Sequence, residues 1–576
     1  MFALRATSPF HRLSDPQQEA LDALRETGSS GIVVLPCGSG KTCVFLRAAL
    51  EAGRKVLFLC FEKQGVAQVA AVIKQHSTID PRFVCVCTGE KKPEPNSLFC
   101  FLVGTYSLFT SSATGTSTLD TTTRLRQFVQ STHWDLVVLD ECHHAAAPTY
   151  KPFVESLRAT RKLGFTGTLC RGDVACSQRG DERTEAMTRH FEFIGPVLYR
   201  RSCAELENDG LIARVRCMEV VTTLAPAFKK AHDHVNVSGQ TRKYVASLHP
   251  QKLNAVSAIV TLHRSIGELG MIFVFHHLHG KVLKDMLGPT WEILAGGHAH
   301  GEDGTHTTNA NAAVVDRFNR GELEGLISTA VGESALDVSN QDFRYAIVID
   351  AHSGAASASQ KLGRLARTPR LPRQESETDG EHRQRRLANQ KQACFYDLVT
   401  DETEETTASA QRRGQLTEEG YDCPVIEYNS LMREFDRFQN ETASVALPCV
   451  NETQQIRLLV ETLDYTTKGH AAVVGATEAK KHRDDHRKDI KRLEQRSTGA
   501  SSSLFRERHR RAHVSLKKKN REVEKTAKAI CKQAVAAAPL GPVALNVLRE
   551  VGVSAAVLNE LGIVLRLREE SSDEDP

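Results

Sequence analysis

The sequence predicts an α/β protein, with two tandem parallel-sheet domains and a basic, partly helical C-terminal tail, in 576 residues. Three observations carry this. Short apolar runs alternate with helical stretches through much of the chain. A glycine-rich run, Leu35-Pro-Cys-Gly-Ser-Gly-Lys41-Thr42, joins one apolar run to a helix. An acidic pair, Asp140-Glu141, closes another.

The glycine-rich run follows Gly31-Ile-Val-Val-Leu35, which reads as a buried parallel strand, and precedes Cys43 to Leu50, which reads as a helix. Gly38 and Gly40, with Ser39 between them, let backbone amides close around a phosphate at the helix N-terminus. Free N–H groups and the helix dipole both favour negative charge there. Lys41 is placed to reach the β- and γ-phosphates of a nucleotide, and the Thr42 hydroxyl to ligate Mg²⁺. Gln18 is counted among the nucleotide contacts. The full phosphate-loop pattern has Gly at position 35, where this chain has Leu.

Asp140 and Glu141 follow the strand-like run Trp134 to Leu139, so both carboxylates emerge at a strand's carboxyl end, where open α/β sheets bind ligands. Asp140 is expected to hold Mg²⁺ and Glu141 to polarise an attacking water. A third run, Gln360-Lys-Leu-Gly363-Arg364-Leu-Ala-Arg367, brings arginines from the second domain. Gln360 and Gly363 join the nucleotide contacts, while Arg364 and Arg367 spread the charge of a transferred phosphoryl group. Alone, the acidic pair could end any strand, and Lys361 to Arg370 could be a solvated basic helix. The order of the three runs along one chain favours the nucleotide reading.

These runs organise the chain into a short N-terminal segment (1–17), a first lobe (18–200), a second lobe (201–437) and a basic C-terminal extension (438–576). Strand-like runs at Lys55 to Phe61, Phe83 to Cys87, Phe99 to Val103 and Leu136 to Leu139 build the first sheet. Met271 to Phe275, Gly325 to Ser328 and Tyr345 to Ile349 build the second. The Ser/Thr-rich stretch Thr110 to Thr123 reads as a surface loop, and the charged run Pro369 to Gln392 as a flexible insertion.

Together these motifs resemble those of superfamily-two helicases, and within them the XPB-type family, the ATP-driven helicase subunits of the transcription and repair factor TFIIH and their archaeal relatives. Further runs carry the resemblance. Gly104-Thr105-Tyr106-Ser107 is similar to the family's single-strand-contacting segment, and Thr166-Gly-Thr168 to its coupling motif. Ile194 to Tyr199 with Gly210-Leu-Ile-Ala213 is similar to its entry into the second domain; Val331-Gly332-Glu333-Ser334, Asp337 and Phe395 to Val399 continue the match. The resemblance implies two RecA-like motor domains that use ATP and Mg²⁺ and act on single-stranded or forked DNA with 3′ to 5′ polarity. It also implies TFIIH or repair-complex partners, nucleotide-excision repair and a nuclear location. Coupling and DNA-contact roles then fall on Gly104, Thr105, Tyr106, Thr166, Thr168, Arg171, Asp173, Gly332 and Asp337. The ATP motifs do not distinguish DNA from RNA, so an RNA helicase and a weakly active regulatory paralogue remain as alternatives.

Departures from the family sharpen those alternatives. Arg171-Gly172-Asp173 stands where the family has Arg-Glu-Asp, a triplet tied to strand separation, and Ala355, Ala356 and Ser357 replace the usual arginines before the third run. Phe228 to Lys243, the counterpart of a DNA-gripping insertion, is His-rich and only moderately basic. A core that starts near Gln18 leaves no room for the family's N-terminal region and reads as a short paralogue.

Composition excludes other classes. No apolar run approaches the length of a membrane span. Fifteen cysteines without a Cys-x-x-Cys spacing imply a reducing compartment, with Cys85 and Cys87 packing a strand and no zinc expected. The N-terminus lacks acids until Asp15, which leaves a mitochondrial transit peptide as the alternative address. Between Lys480 and Lys532 stand 19 Lys/Arg against seven Asp/Glu, in a chain of net charge +4. That stretch reads as a nucleic-acid tether or import signal, or as a solvated helix. Val543 to Leu567 has the spacing of a small helical pair, and Glu569 to Asp575 is an acidic end.

Overall fold

Strands form where the apolar runs stand. The first sheet holds β1 (Gly31–Val34), β2 (Val56–Cys60), β3 (Val84–Cys87), β4 (Phe101–Thr105), β5 (His133–Asp140), β6 (Arg158–Thr166) and β7 (Val197–Arg200), in the order β3-β4-β2-β5-β6-β1-β7. The second holds β8 (Arg214–Thr222), β9 (Leu269–Phe273), β10 (Trp291–Leu294), β11 (Gly325–Ser328), β12 (Phe343–Val348), β13 (Gln392–Thr400) and β14 (Val425–Glu427), in the order β10-β11-β9-β12-β13-β8-β14. All pairings between these strands are parallel. The chain therefore has two tandem RecA-like α/β domains. The computed structural model describes residues 2–36, 38–53, 55–61, 63–88, 99–110, 121–167, 190–234, 237–275, 277–294, 307–329, 338–349, 355–368, 371, 373–374, 376–442, 454–455, 458–459 and 462–463.

Burial on both faces explains why the strands read as continuous apolar runs. Along β1, Val33 enters one core with Val44, Phe45 and Phe58, while Ile32 and Val34 enter the opposite core with Leu57, Leu59 and Val137. This is the period of two that a pleated strand imposes. Helices α1 (Asp15–Thr27), α2 (Lys41–Ala52) and α3 (Lys63–His76) bring Leu21, Leu46 and Ile73 to the first of those cores.

Residues 2–13 are packed chain: Phe2, Leu4, Phe10 and Leu13 lie against the core of the first sheet. Residues Thr223–Asn254 separate from the sheet-bearing unit, Met1–Thr222 with Ala255–Pro448, and form part of a second compact unit. There the counterpart of the gripping insertion is a pair of helices, Pro226–Asp233 and Gly239–Ser247, with Phe228, Ala231 and Tyr244 buried.

Two expectations are corrected. The run from Pro369 to Gln392 contains a helix, Asp379–Ala388, capped reciprocally by Thr378 and Glu381. Glu377 holds Arg385 at 2.7 Å, which draws the Glu377 carboxyl down to about 2, and Asp209 holds Arg383 at 3.1 Å. Paired charges order what composition alone suggested was loose. Thr121 to Thr123, assigned to a surface loop, begin a helix that runs to Ser131. The features expected of the tail, from Lys480 to Asp575, lie outside the described residues.

The second sheet is pinned by an ion pair. Arg412, from the helix Glu404–Glu418, lays its guanidinium on Asp397 of β13 with contacts of 2.7, 2.9 and 3.0 Å, and is 2 % exposed. Removing the guanidinium leaves the largely buried Asp397 carboxylate without its countercharge. Arg412→Met is expected to cost about 3–5 kcal/mol of stability, measured by denaturant unfolding. A midpoint unchanged from wild type would show that water or another cation replaces the guanidinium.

Candidate nucleotide site and its relatives

Strand order assembles the site. β6 lies between β1 and β5, so the glycine-rich loop and the acidic pair leave the same sheet edge one strand apart. Leu35 N–H donates to the Thr166 carbonyl at 3.0 Å, tying the loop to the end of β6. Gly38 and Gly40 stand at φ +87° and +83°, a left-handed backbone that glycine adopts without penalty, and α2 begins directly after them. Lys41 Nζ donates to the Leu35 carbonyl at 3.1 Å, and Ser39 Oγ to the Pro36 carbonyl at 2.7 Å.

Burial, with Glu141 next to it, pushes the Asp140 carboxyl up to about 7, and Lys41 pulls it back. A cation there would relieve both unfavourable causes at once. Glu141 sits at φ 47°, one of two left-handed non-glycine residues among those described. Strain of that kind persists only where neighbours enforce it. Its Oε2 lies 3.4 Å from Thr166 Oγ1 and 3.4 Å from His143 Nδ1, and those two atoms are 2.9 Å apart. Glu141, His143 and Thr166 thus form a triangle, which brings the end of β6 into contact with the acidic pair.

The opposing wall comes from the second sheet. A side chain on Gly38 would meet the Gly363 carbonyl at 3.2 Å and Arg367 Cγ at 3.4 Å, so the helix Ala355–Leu365 and the residues after it rest against the phosphate loop. Ala213 N–H donates to the Ala366 carbonyl at 2.9 Å, and Lys391 Nζ to the Leu365 carbonyl at 3.0 Å. Burial lowers the Lys391 ammonium to about 8. These anchors fix the backbone from which Arg367 projects. Arg364 is 6 % exposed, and Ser359 of its helix donates through Oγ to Oε1 of Glu419, at the end of the helix Glu404–Glu418, at 2.7 Å.

Some expected residues fall elsewhere. Gln18 donates to the Asp22 carboxylate at 2.9 Å and lines a cleft of about 1110 Å³ with Ser14, Asp15, Arg344 and Arg386. The glutamine that touches the phosphate loop is Gln17, whose Nε2 donates to the Ser39 carbonyl at 2.6 Å while its Oε1 accepts from Ser14 N–H at 3.1 Å. Helical spacing held that signal, since Gln17, Ala20, Leu21 and Leu24 share the buried face of α1. Tyr106, taken as a DNA contact, is fully buried, and its hydroxyl donates to the Asp140 carbonyl at 3.1 Å. Gly104 and Thr105 are buried with it, leaving Ser107 exposed in that run. Thr168, Arg171, Asp173, Gly332 and Asp337 lie outside the described residues.

Gly38→Ala tests the loop directly. A methyl group at this φ costs about 1–2 kcal/mol and presses on Gly363, so the ATP KM should rise roughly 5- to 30-fold in steady-state turnover. An unchanged KM would mean that the loop reshapes freely.

A glycine-rich loop and an acidic pair at one sheet edge, with an arginine-bearing helix against that loop, are the parts that a nucleotide site between two RecA-like domains needs. Known families agree: the type III restriction enzyme res subunit matches residues 10–171, and the ERCC3/RAD25/XPB C-terminal helicase matches residues 206–488. Over the second of these stretches the chain is similar to XPB-type helicases. It is 27 % identical over 410 residues to the general transcription and DNA repair factor IIH helicase/translocase subunit XPB of Danio rerio, covering 71 % of this chain and 47 % of that protein. The XPB/SSL2 subunit of Saccharomyces cerevisiae is 26 % identical over 426 residues, covering 73 % and 45 %. The chain spans about half the length of these curated relatives. Among solved structures, the Hef helicase domain of Pyrococcus furiosus aligns with a TM-score of 0.44 and 14 % identity over 71 % of this chain and 100 % of that one. No helix among the described residues is long and apolar enough to cross a membrane.

Proposed function

We propose that the chain is an ATP-driven DNA helicase or translocase of the XPB type, moving 3′ to 5′ and serving nucleotide-excision repair in the nucleus. The observation that supports it is the approach of Gly363 and Arg367 of the second domain to Gly38 of the first. The relatives' names, with their DNA repair factor and helicase/translocase subunit, support the substrate and the setting.

The residues divide the work. The loop amides from Gly38 to Lys41 hold the phosphates of ATP, and Lys41 neutralises charge on the outer two. Thr42 and Asp140 would hold Mg²⁺, which when bound supplies charge neutralisation at the β- and γ-oxygens. Glu141 orients the attacking water, itself oriented by Thr166 and His143. Arg364 and Arg367 stabilise the transferred phosphoryl charge only while the domains are closed, so hydrolysis removes what favours closure. A strand held across both domains through its backbone is then moved without regard to sequence.

The experiment is ATP turnover compared across single-stranded DNA, duplex DNA, forked DNA and RNA, with strand separation followed in parallel. Stimulation by DNA with directional unwinding is expected. Stimulation by RNA alone would make the chain an RNA helicase, and hydrolysis without strand separation would point to Gly172 in place of the family's glutamate.

A further inference from the structure

A stack of rings at the carboxyl edge of the first sheet runs from solvent to the catalytic carboxylate. β2 and β5 are neighbours, with Leu59 in register with Leu139, so Phe61 past the end of β2 meets His144 past the end of β5. Their rings lie 3.6 Å apart at 6°. His144 packs on His143 at 4.1 Å, and His143 touches both Thr166 and Glu141. Phe61 nevertheless remains 37 % exposed, among few large apolar side chains left so open in the described residues. On the other flank of β2, Cys60 is in register with Thr105, two residues before the exposed Ser107.

We propose that Phe61 and His144 are positioning residues, which pass the presence of an unpaired nucleobase on Phe61 to Glu141 through His143. The inference rests on the reading of the chain as a nucleic-acid-driven ATPase. One face of the phenyl ring is taken by His144, and the residue as a whole stays more than a third open to solvent. An aromatic ring stacks any base, because every base has a π-face. A base pressed on Phe61 restrains His144, and His144 restrains His143. The glutamate that must aim a water is thereby held in fewer orientations. Neither ring touches the phosphate or carries a proton in the reaction.

The test uses the full chain and two probes of equal length, an oligothymidylate and an abasic strand. Wild type is expected to respond more to the first. Phe61→Ala should lower the oligothymidylate-stimulated kcat about tenfold with little change in the ATP KM, and should erase the difference between the probes. Phe61→Trp should restore the difference, and its added indole emission should change as oligothymidylate binds and stay unchanged with the abasic strand. If Phe61→Ala keeps both the stimulation and the difference between the probes, or the Phe61→Trp emission ignores bases, the stack is packing alone. A wild type that no polynucleotide stimulates would overturn the functional reading and this inference with it.

Discussion

Lys41→Ala is expected to reduce ATP turnover by about 10²–10³-fold or more while the protein stays folded. The side chain reaches back over the loop to the Leu35 carbonyl at 3.1 Å and contributes nothing to the apolar cores, so its loss opens no cavity. Alanine is a good helix former at the first position of α2. What disappears is a single positive charge, the one that opposes the upward push on Asp140 and that the proposed reading turns toward the phosphates. Turnover should therefore collapse while thermal unfolding, followed by circular dichroism, is unchanged. Equal turnover in mutant and wild type would remove the motor assignment.

Arg367→Ala should cost about 10³-fold or more in kcat, as loss of an arginine finger does, with much less effect on nucleotide affinity. Its Cγ lies 3.4 Å from where a Gly38 side chain would begin, which brings this residue of the second domain to the loop that holds Gly38. Arg364→Ala should also lose turnover, but Arg364 is 6 % exposed on its helix and its removal will cost packing as well. Arg367 is thus the cleaner test, read from kcat and KM measured separately. If affinity falls and saturated turnover does not, the arginine binds ATP and the two-domain mechanism is misassigned.

Where chemistry is encoded in contiguous residues, it was readable. Gly38 and Gly40 are glycines because their φ values require it, and Asp140-Glu141 follows a strand because the strand's apolar run ends there. The helix Asp379–Ala388 was readable too, since Thr378 and Glu381 form a Thr-x-x-Glu cap, yet its charge suggested disorder. Gln17 and Gln18 are neighbours of the same type, and only the helical face decides between them. Tyr106 looks like a surface contact in sequence. It is buried because β4 ends close enough to β5 for its hydroxyl to find the Asp140 carbonyl.

By itself the sequence determined the parallel α/β class and where the glycine-rich run, the acidic pair and the arginine run fall among its strands and helices, because periodicity and backbone freedom act over a few neighbouring residues. Only the tertiary structure decided that Thr166 stands between Leu35 and Glu141, that Gly363 and Arg367 cover Gly38, and that Phe61 stacks on His144. Those contacts depend on strand order and on which domain faces meet. Both are set by the packing of segments far apart in the chain, a long-range balance that no local run of residues contains.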